Sequence, residues 1–275
     1  MPIKFASLPN LVISLISLIS LCAVQTASAA DLPERVPVYV ARPAIPVNSW
    51  TGCYVGGNAG RVRGANSTNT FPSGTWFTGA TAADQIGASS SFEPSGSGIS
   101  GGGEIGCNYQ IENWVLGGEA DFQGTGLKES SSILAPTAGA FLPSIHTDTT
   151  ALNWFSTARG RVGWAIVDPL LIYGTGGLAF GKVASTFDRL NLNGINHYVG
   201  SASETRVGWT VGGGIEYALS RSWSVKAEYL FLNFGSFSYA ANQIIPTGVT
   251  PDHTWTVNVD AREHVLRIGL NYRFQ

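Results

Sequence analysis

Charge is scarce in this chain. Asp, Glu, Lys and Arg together make up 12% of its 275 residues, about half the share that a soluble domain of this size carries. The balance is near neutral, a formal −2, so no excess of positive charge points to a nucleic-acid partner. Methionine occurs once, as Met1, and cysteine only as Cys22, Cys53 and Cys107. No C-x-x-C or H-x₃-H spacing is present, so His146, His197, His253 and His264 form no haem or metal motif, and no cofactor is expected. After residue 29 there is no run of about 18 apolar residues, which excludes membrane-spanning helices.

Glycine, by contrast, is abundant at 34 residues, and aromatics reach 11% with 8 tryptophans. The last eleven residues show how they are used. Leu266, Ile268, Leu270, Tyr272 and Phe274 fall on one face of a period-two pattern, and Arg267, Gly269, Asn271 and Arg273 on the other. Such alternation marks a β-strand. A bilayer-spanning strand needs about 9–11 residues, with lipid on one face and a barrel lumen on the other. This segment has that length and that two-sidedness, which points to an outer membrane.

Residues 1–29 read as a secretory signal peptide. Lys4 precedes an apolar stretch from Leu11 to Val24, and Ala27-Ser28-Ala29 supplies the small-x-small cleavage pattern. Leu21 stands before Cys22 where a lipoprotein signal wants a small residue, so lipidation is not expected. The mature chain is expected to begin at Ala30 or Asp31. Residues 30–48, with Pro33, Pro37, Pro43 and Pro46, read as an extended periplasmic segment, and 49–275 as the barrel.

Seven further segments alternate. They begin near Cys53, Glu104, Trp114, Trp154, Ile172, Val207 and Trp223. Connections after the second, fourth and sixth are short, at Gln110–Asn113, Ala165–Pro169 and Ala218–Ser222. Those after the first, third, fifth and seventh run to roughly 20–40 residues rich in Gly, Ser, Thr and Asn, the short-turn, long-loop rhythm of outer-membrane barrels. The fold expected is all-β: an eight-stranded antiparallel transmembrane β-barrel with four long polar outer loops. Asn66, His146, His197 and His253 fall in those loops.

The outward faces carry no charge in their central parts, and many end in aromatics. The inward faces collect Glu104, Glu119, Asp121, Glu216 and Glu228 with Arg159, Arg161, Lys226, Arg267 and Arg273. Buried charges are costly unless paired, so this balance implies a salt-bridged lumen. An eight-stranded barrel is just wide enough for side chains to fill. Cys53 and Cys107 sit at the periplasmic ends of neighbouring strands, both with outward parity. They are disulfide candidates in an oxidising compartment; two unbridged, lipid-facing thiols are the alternative.

The stretches Trp50-Thr-Gly-Cys-Tyr-Val-Gly-Gly-Asn58, Trp114-Val-Leu-Gly-Gly-Glu-Ala-Asp121 and Arg159-Gly-Arg-Val-Gly-Trp164 resemble the alphaproteobacterial outer-membrane immunogenic proteins. So do Tyr173-Gly-Thr-Gly-Gly-Leu-Ala179, Trp223-Ser-Val-Lys-Ala-Glu-Tyr229 and Arg267-Ile-Gly-Leu-Asn-Tyr-Arg-Phe274. The group is also called porin-family outer-membrane β-barrels. The resemblance implies an eight-stranded barrel similar to the membrane domain of outer-membrane protein A. It implies no agreed enzymatic activity; roles proposed for members are envelope integrity, surface antigenicity and, for some, haem binding. Where the family usually has aromatics this chain has Cys53 and Cys107, and where the family ends on Phe, Gln275 follows Phe274. Tyr272 and Phe274 are the expected insertion signal for the barrel-assembly machinery.

Catalytic patterns are weak. Gly96-Ser-Gly-Ile-Ser-Gly101 matches G-x-G-x-x-G, and Gly98-Ile-Ser-Gly-Gly102 matches G-x-S-x-G. Both need a following helix, and here a flexible loop entering a strand is expected. Gly212-Gly213-Gly214 reads as strand glycine rather than a phosphate cradle. Glu119 and Asp121 read as ion-pair partners rather than an acid–base pair. The expected function is a non-enzymatic structural and surface protein of the outer membrane, with membrane lipid around it and its outer loops open to host or surface ligands. A small-solute porin or a haem- or ligand-binding surface barrel is the alternative. A lipid-acting barrel enzyme would need a Ser/His pair at the lipid face.

Overall fold

The computed structural model describes residues 49–73, 88–138, 141–194, 196–245 and 254–274. The expected signal peptide 1–29, the proline-rich segment 30–48 and His253 lie outside them. Ten antiparallel strands form one sheet: β1 (Gly52–Gly64), β2 (Ser67–Ser73), β3 (Ser90–Phe92), β4 (Ser95–Ile111), β5 (Trp114–Ala135), β6 (Ser144–Val167), β7 (Leu170–Asn191), β8 (His197–Ala218), β9 (Trp223–Ile245) and β10 (Thr254–Arg273). Successive strands pair from β4 to β10, and β1 pairs with both β4 and β10, so the sheet closes on itself.

The expected count of eight strands is corrected to ten. β1 and β4 to β10 make the closed ring; β2 pairs with the outer end of β10, and β3 pairs with β2. Both additional strands lie in what the sequence reads as the first outer loop: β1 runs past the expected strand to Gly64, and β2 begins after Ala65-Asn66, where the Asn66 side chain accepts the Arg262 N–H at 2.8 Å. β3 is separated from β4 at Glu93-Pro94, where proline has no N–H to give the ladder.

Burial is inverted through the lower part of the ring. Leu266 and Ile268 are each 64% exposed, while Lys226 and Arg267 are 1% exposed. In water that arrangement would be unstable; against hydrocarbon it suits the wall. Two aromatic rings bound the apolar band. Trp114 and Trp164 meet edge to face, as do Trp223 and Tyr272, at the end with short turns. Phe122 stacks on Trp154, and Phe231 lies against Trp209 and His264, at the other end. Trp114 to Phe122, Trp154 to Trp164, Trp223 to Phe231 and His264 to Tyr272 each cover the roughly 9–11 residues of a spanning strand.

The strands do not stop at the outer ring. β5 has 22 residues, β6 24 and β9 23, about twice a membrane span, so much of what reads as outer loop in the sequence is strand. Above the ring the amphipathic sense reverses. On β7, Val183, Ser185, Phe187 and Arg189 point inward, whereas Thr186 and Leu190 are exposed. On β10, Trp255, Val257, Val259 and Ala261 are fully buried. The barrel continues into water as a conventional β-structure with its apolar side inside. Asn66 and His146, expected as solvated loop residues, are 3% and 0% exposed for this reason, and Gly96–Gly101 lies within β4 rather than in a loop.

Candidate functional site

Buried side chains among the described residues form successive layers along the interior, and the layers follow from which residue each strand turns inward. At the periplasmic end Trp50, Val115, Ala165, Leu171 and Ala218 form a small apolar cluster. The Trp50 N–H donates to Gln110 Oε1 at 2.7 Å. The Arg273 guanidinium lies 4.7 Å over the Trp50 ring, a cation–π contact, and donates to the Ser49 carbonyl.

Above this floor sit the inward charges named from the sequence. Lys226 Nζ lies 2.7 Å from Glu104 and 2.9 Å from Glu119. Arg159 reaches Asp121 at 2.9 Å and Glu228 at 3.1 Å, and also pairs with Glu119. Arg267 donates from Nε to Glu228 at 2.8 Å and from Nη2 to Asp121 at 2.8 Å. Arg161 pairs with Glu216. The structure thus joins all the expected charges into one network except Arg273, which sits below it against Trp50. Every carboxylate except Glu216, which pairs with Arg161 alone, is shared among cations from more than one strand, so the pairs tie the wall across the lumen.

Neutral partners complete the network, and the sequence reading did not single them out. Tyr54 Oη donates to Glu119 at 2.6 Å and Tyr173 Oη to Glu228 at 3.0 Å, while the Arg161 guanidinium lies 3.6 Å over the Tyr173 ring. Asn58 Nδ2 donates to Glu104 at 2.9 Å and Thr157 Oγ1 to Asp121 at 2.9 Å. Glycine makes room for the tyrosines. A Cβ on Gly106 would lie 2.4 Å from Tyr54 Oη, and one on Gly214 2.8 Å from Tyr173 Oη. The Gly212-Gly213-Gly214 run is therefore wall opposite bulk, with no role as a phosphate cradle. Inward parity of Tyr54 and Tyr173 was the available signal.

Higher still the lumen is apolar, with Val62, Leu127, Leu152, Phe155, Val183, Leu230, Leu232 and Phe234 buried together. The outermost layer mixes rings and polar groups. His146 packs edge-on to Phe187 and Trp255, and Arg189 lies 4.4 Å over the Trp255 ring. Arg189 Nε donates to His146 Nε2 at 2.9 Å, where the Ser144 hydroxyl also bonds at 2.9 Å. Asn66 Nδ2 bridges the carboxylates of Glu129 and Glu263, and Thr68 donates to Asp148 at 2.9 Å. These groups lie beyond the outer aromatic ring. Burial pushes Glu129 up to about 7 and Asp148 up to about 6. Burial, then the neighbouring Arg189, pushes His146 down to about 3. His197 Nε2 lies 2.8 Å from Asp188, and Tyr229 Oη 2.6 Å from His264 Nδ1. No group of three His, Cys, Asp or Glu among the described residues is arranged to hold a metal ion.

On the outer wall at the periplasmic end, Cys53 stands directly opposite Cys107 in the β1–β4 ladder. Their sulfurs are bonded at 2.08 Å and their Cα atoms are 3.9 Å apart, closer than ordinary antiparallel neighbours at about 4.5–5.5 Å. Tyr272 and Phe274 are exposed beside them in the lower aromatic ring.

A closed sheet with an apolar outer band and a charged, paired layer inside is the setting in which known proteins can be compared. A family model described as outer membrane protein beta-barrel domain matches residues 15–274. The chain belongs to that family. It is 34% identical over 250 residues to the 31 kDa outer-membrane immunogenic protein of Brucella melitensis, covering 90% of this chain and 94% of that one. The 25 kDa outer-membrane immunogenic protein of Brucella abortus is 27% identical over 253 residues, covering 90% and 91%. The 22 kDa outer membrane protein of Rhizobium leguminosarum is 28% identical over 199 residues, covering 72% and 70%. Among solved structures, the outer membrane protein OprG from Pseudomonas aeruginosa matches with a TM-score of 0.46 at 14% identity, covering 82% of this chain and 97% of that one; the likeness is too distant to bear on function. The protein is an outer-membrane β-barrel, and the apolar band is its membrane-facing wall.

Proposed function

We propose that this protein is a non-enzymatic structural and surface component of the outer membrane: an eight-column barrel with a closed lumen that carries a rigid β-stalk into the medium. The observation that carries this reading is continuous occupancy of the interior, from Trp50 through the ion-pair network and the apolar layer to Trp255. A solute path would have to break pairs that are desolvated on all sides, which disfavours the porin alternative. The enzyme alternative needs a nucleophile that substrate can reach. Ser144 and His146 are hydrogen-bonded, yet both are 0% exposed and the imidazole nitrogen facing the serine also accepts from Arg189. A base engaged by a guanidinium inside a packed cap cannot take a proton from serine. Ser100 lies in β4 with no helix following it.

In this reading the chain is exported by its first 29 residues and delivered to the barrel-assembly machinery through Tyr272 and Phe274. Host or surface ligands would meet the polar outer wall of the stalk and the connections between its strands. A strain lacking the gene tests the role. It should become more sensitive to detergent while small sugars enter at an unchanged rate, and the wild-type gene should restore resistance. Slower sugar entry with an intact barrier would overturn the structural reading in favour of transport.

A further inference from the structure

The outer wall of β1 carries two arginines, Arg61 and Arg63, that the sequence reading left beyond its first strand. Both are exposed and face outward. Arg63 stands opposite His264, and Arg61 opposite Leu266, so the pair lies at and just beneath the outer aromatic ring. A charge on a lipid-facing wall is costly at the bilayer midplane and nearly neutral at its edge. Arg61 lifts its guanidinium toward that edge, donating to Ser97 Oγ at 2.7 Å.

Neither arginine has a carboxylate within ion-pair distance among the described residues; Arg63 acts on the carboxylate of Glu129 only at longer range. Two arginines of the outer half of the wall do have such a partner: Arg206 with Glu204 at 3.3 Å, and Arg262 with Asp260. Arg61, Arg63, Ser97, Tyr229, His264 and Leu266 line an open groove of about 530 Å³. A second groove of about 810 Å³ adjoins it through Arg63, Tyr229 and His264, with Arg262 and one carboxylate, Glu93, on its far side. It opens where β1 gives way to β2 and β3 to β4.

Directly below, toward the midplane, the wall is smooth. Gly57 pairs with Gly103 and Ala59 with Gly101, and an apolar groove of about 470 Å³ runs past Val55, Gly103, Ile105, Ala120 and Phe122. Barrel packing does not require these glycines. A Cβ at Gly57, Gly101 or Gly103 would meet nothing nearer than 3.8, 3.7 and 3.6 Å, whereas one at the inward-facing Gly56, Gly60 or Gly102 would lie within 2.2 Å of another atom. The inward glycines serve packing; the outward ones leave a trough below two unpaired cations.

We propose that this wall binds an anionic glycolipid of the outer leaflet, its phosphate held by Arg61 and Arg63 and an acyl chain laid along the trough of β1, β4 and β5. Two arginines two residues apart on one strand face stand about 6.6 Å apart, within reach of a single phosphate group, and guanidinium forks suit phosphate oxygens. The inference rests on where the membrane band lies, not on whether the lumen conducts.

The test is native mass spectrometry of the full chain folded in detergent, titrated with a diphosphorylated acyl-glucosamine disaccharide and with its dephosphorylated form. Near an anionic surface each arginine is worth about fivefold in affinity, so wild type should favour the phosphorylated lipid by roughly twenty-five-fold. An Arg61→Gln/Arg63→Gln variant should lose that preference and Arg206→Gln should keep it. Inorganic phosphate at the lipid's concentration should displace nothing. Equal binding of the two lipids by wild type, an unchanged preference in the double variant, or displacement by inorganic phosphate would each overturn the proposal. Should the double variant fail to fold, as judged by loss of its heat-modifiable gel mobility, the two-lipid comparison on wild type decides alone.

Discussion

Replacing Arg267 with alanine should lower the unfolding free energy in detergent by about 3–5 kcal/mol. Arg267 is 1% exposed and approaches Glu104, Glu119, Asp121 and Glu228, so its removal leaves these buried carboxylates one cation short. Asn69→Ala, exposed on β2, should stay within about 0.5 kcal/mol of wild type. Asn66, an outer-loop residue by sequence, would be a poor control because it is buried between Glu129 and Glu263. Adding Glu228→Ala to Arg267→Ala should cost less than the sum of the two single changes, since each removes the other's partner. Urea titrations followed by tryptophan fluorescence give these values. Equal effects of Arg267→Ala and Asn69→Ala would contradict a lumen held by its charges.

Breaking the bridge between Cys53 and Cys107 should have an effect of similar size. The two are separated by 54 positions, and closing a loop of that length in the unfolded chain is worth about 4 kcal/mol by chain entropy. Cys53→Ser and reduced wild type should therefore unfold at the same, lower urea concentration. The ring itself should survive, because β1 remains paired with β4 and β10 on both sides. Thiol labelling of unreduced, denatured protein supplies the check: no reactive thiols are expected, and two per chain would contradict the bridge.

The part of the fold that touches the membrane was legible because one physical rule governs it. Between the aromatic rings every strand sets apolar residues outward and polar ones inward, so β10 could be read residue by residue from Leu266 to Phe274. The short turns after β4, β6 and β8 lie where Glu112-Asn113, Asp168-Pro169 and Ser220-Arg221-Ser222 interrupt alternation. Above the outer ring that rule reverses, and irregularities in pairing fall near the reversal, at Gly124/Leu127, Leu152/Trp154 and Ala261/Arg262. On β6 the inward residues are odd-numbered at Thr157, Arg159 and Arg161 but even-numbered at Leu152, Thr150 and Asp148. A period-two reading therefore starts the strand at Trp154, whereas β6 begins at Ser144. The same shift of face near Phe234 and Gly235 cut β9 short at Phe231.

The charged layer was legible by parity, although parity places a residue on a face and cannot say how far it reaches. Arg273 shares its face with Arg267, yet it lies one layer lower and turns to Trp50. The cap was not legible, since Glu129, His146, Asp148, Arg189 and Trp255 gain their environment only once the strands continue. Their sequence signal is the alternation Trp255, Val257, Val259, Ala261, which has the sense of a water-soluble strand and so did not match a membrane template.

Single-channel conductance of the full chain in planar bilayers tests the central claim, an interior filled along its whole length, most directly. Wild type should insert, as shown by protease protection of its spanning strands, without producing conductance steps. Regular unitary steps from wild type, present in reducing and non-reducing buffer alike, would contradict a closed lumen.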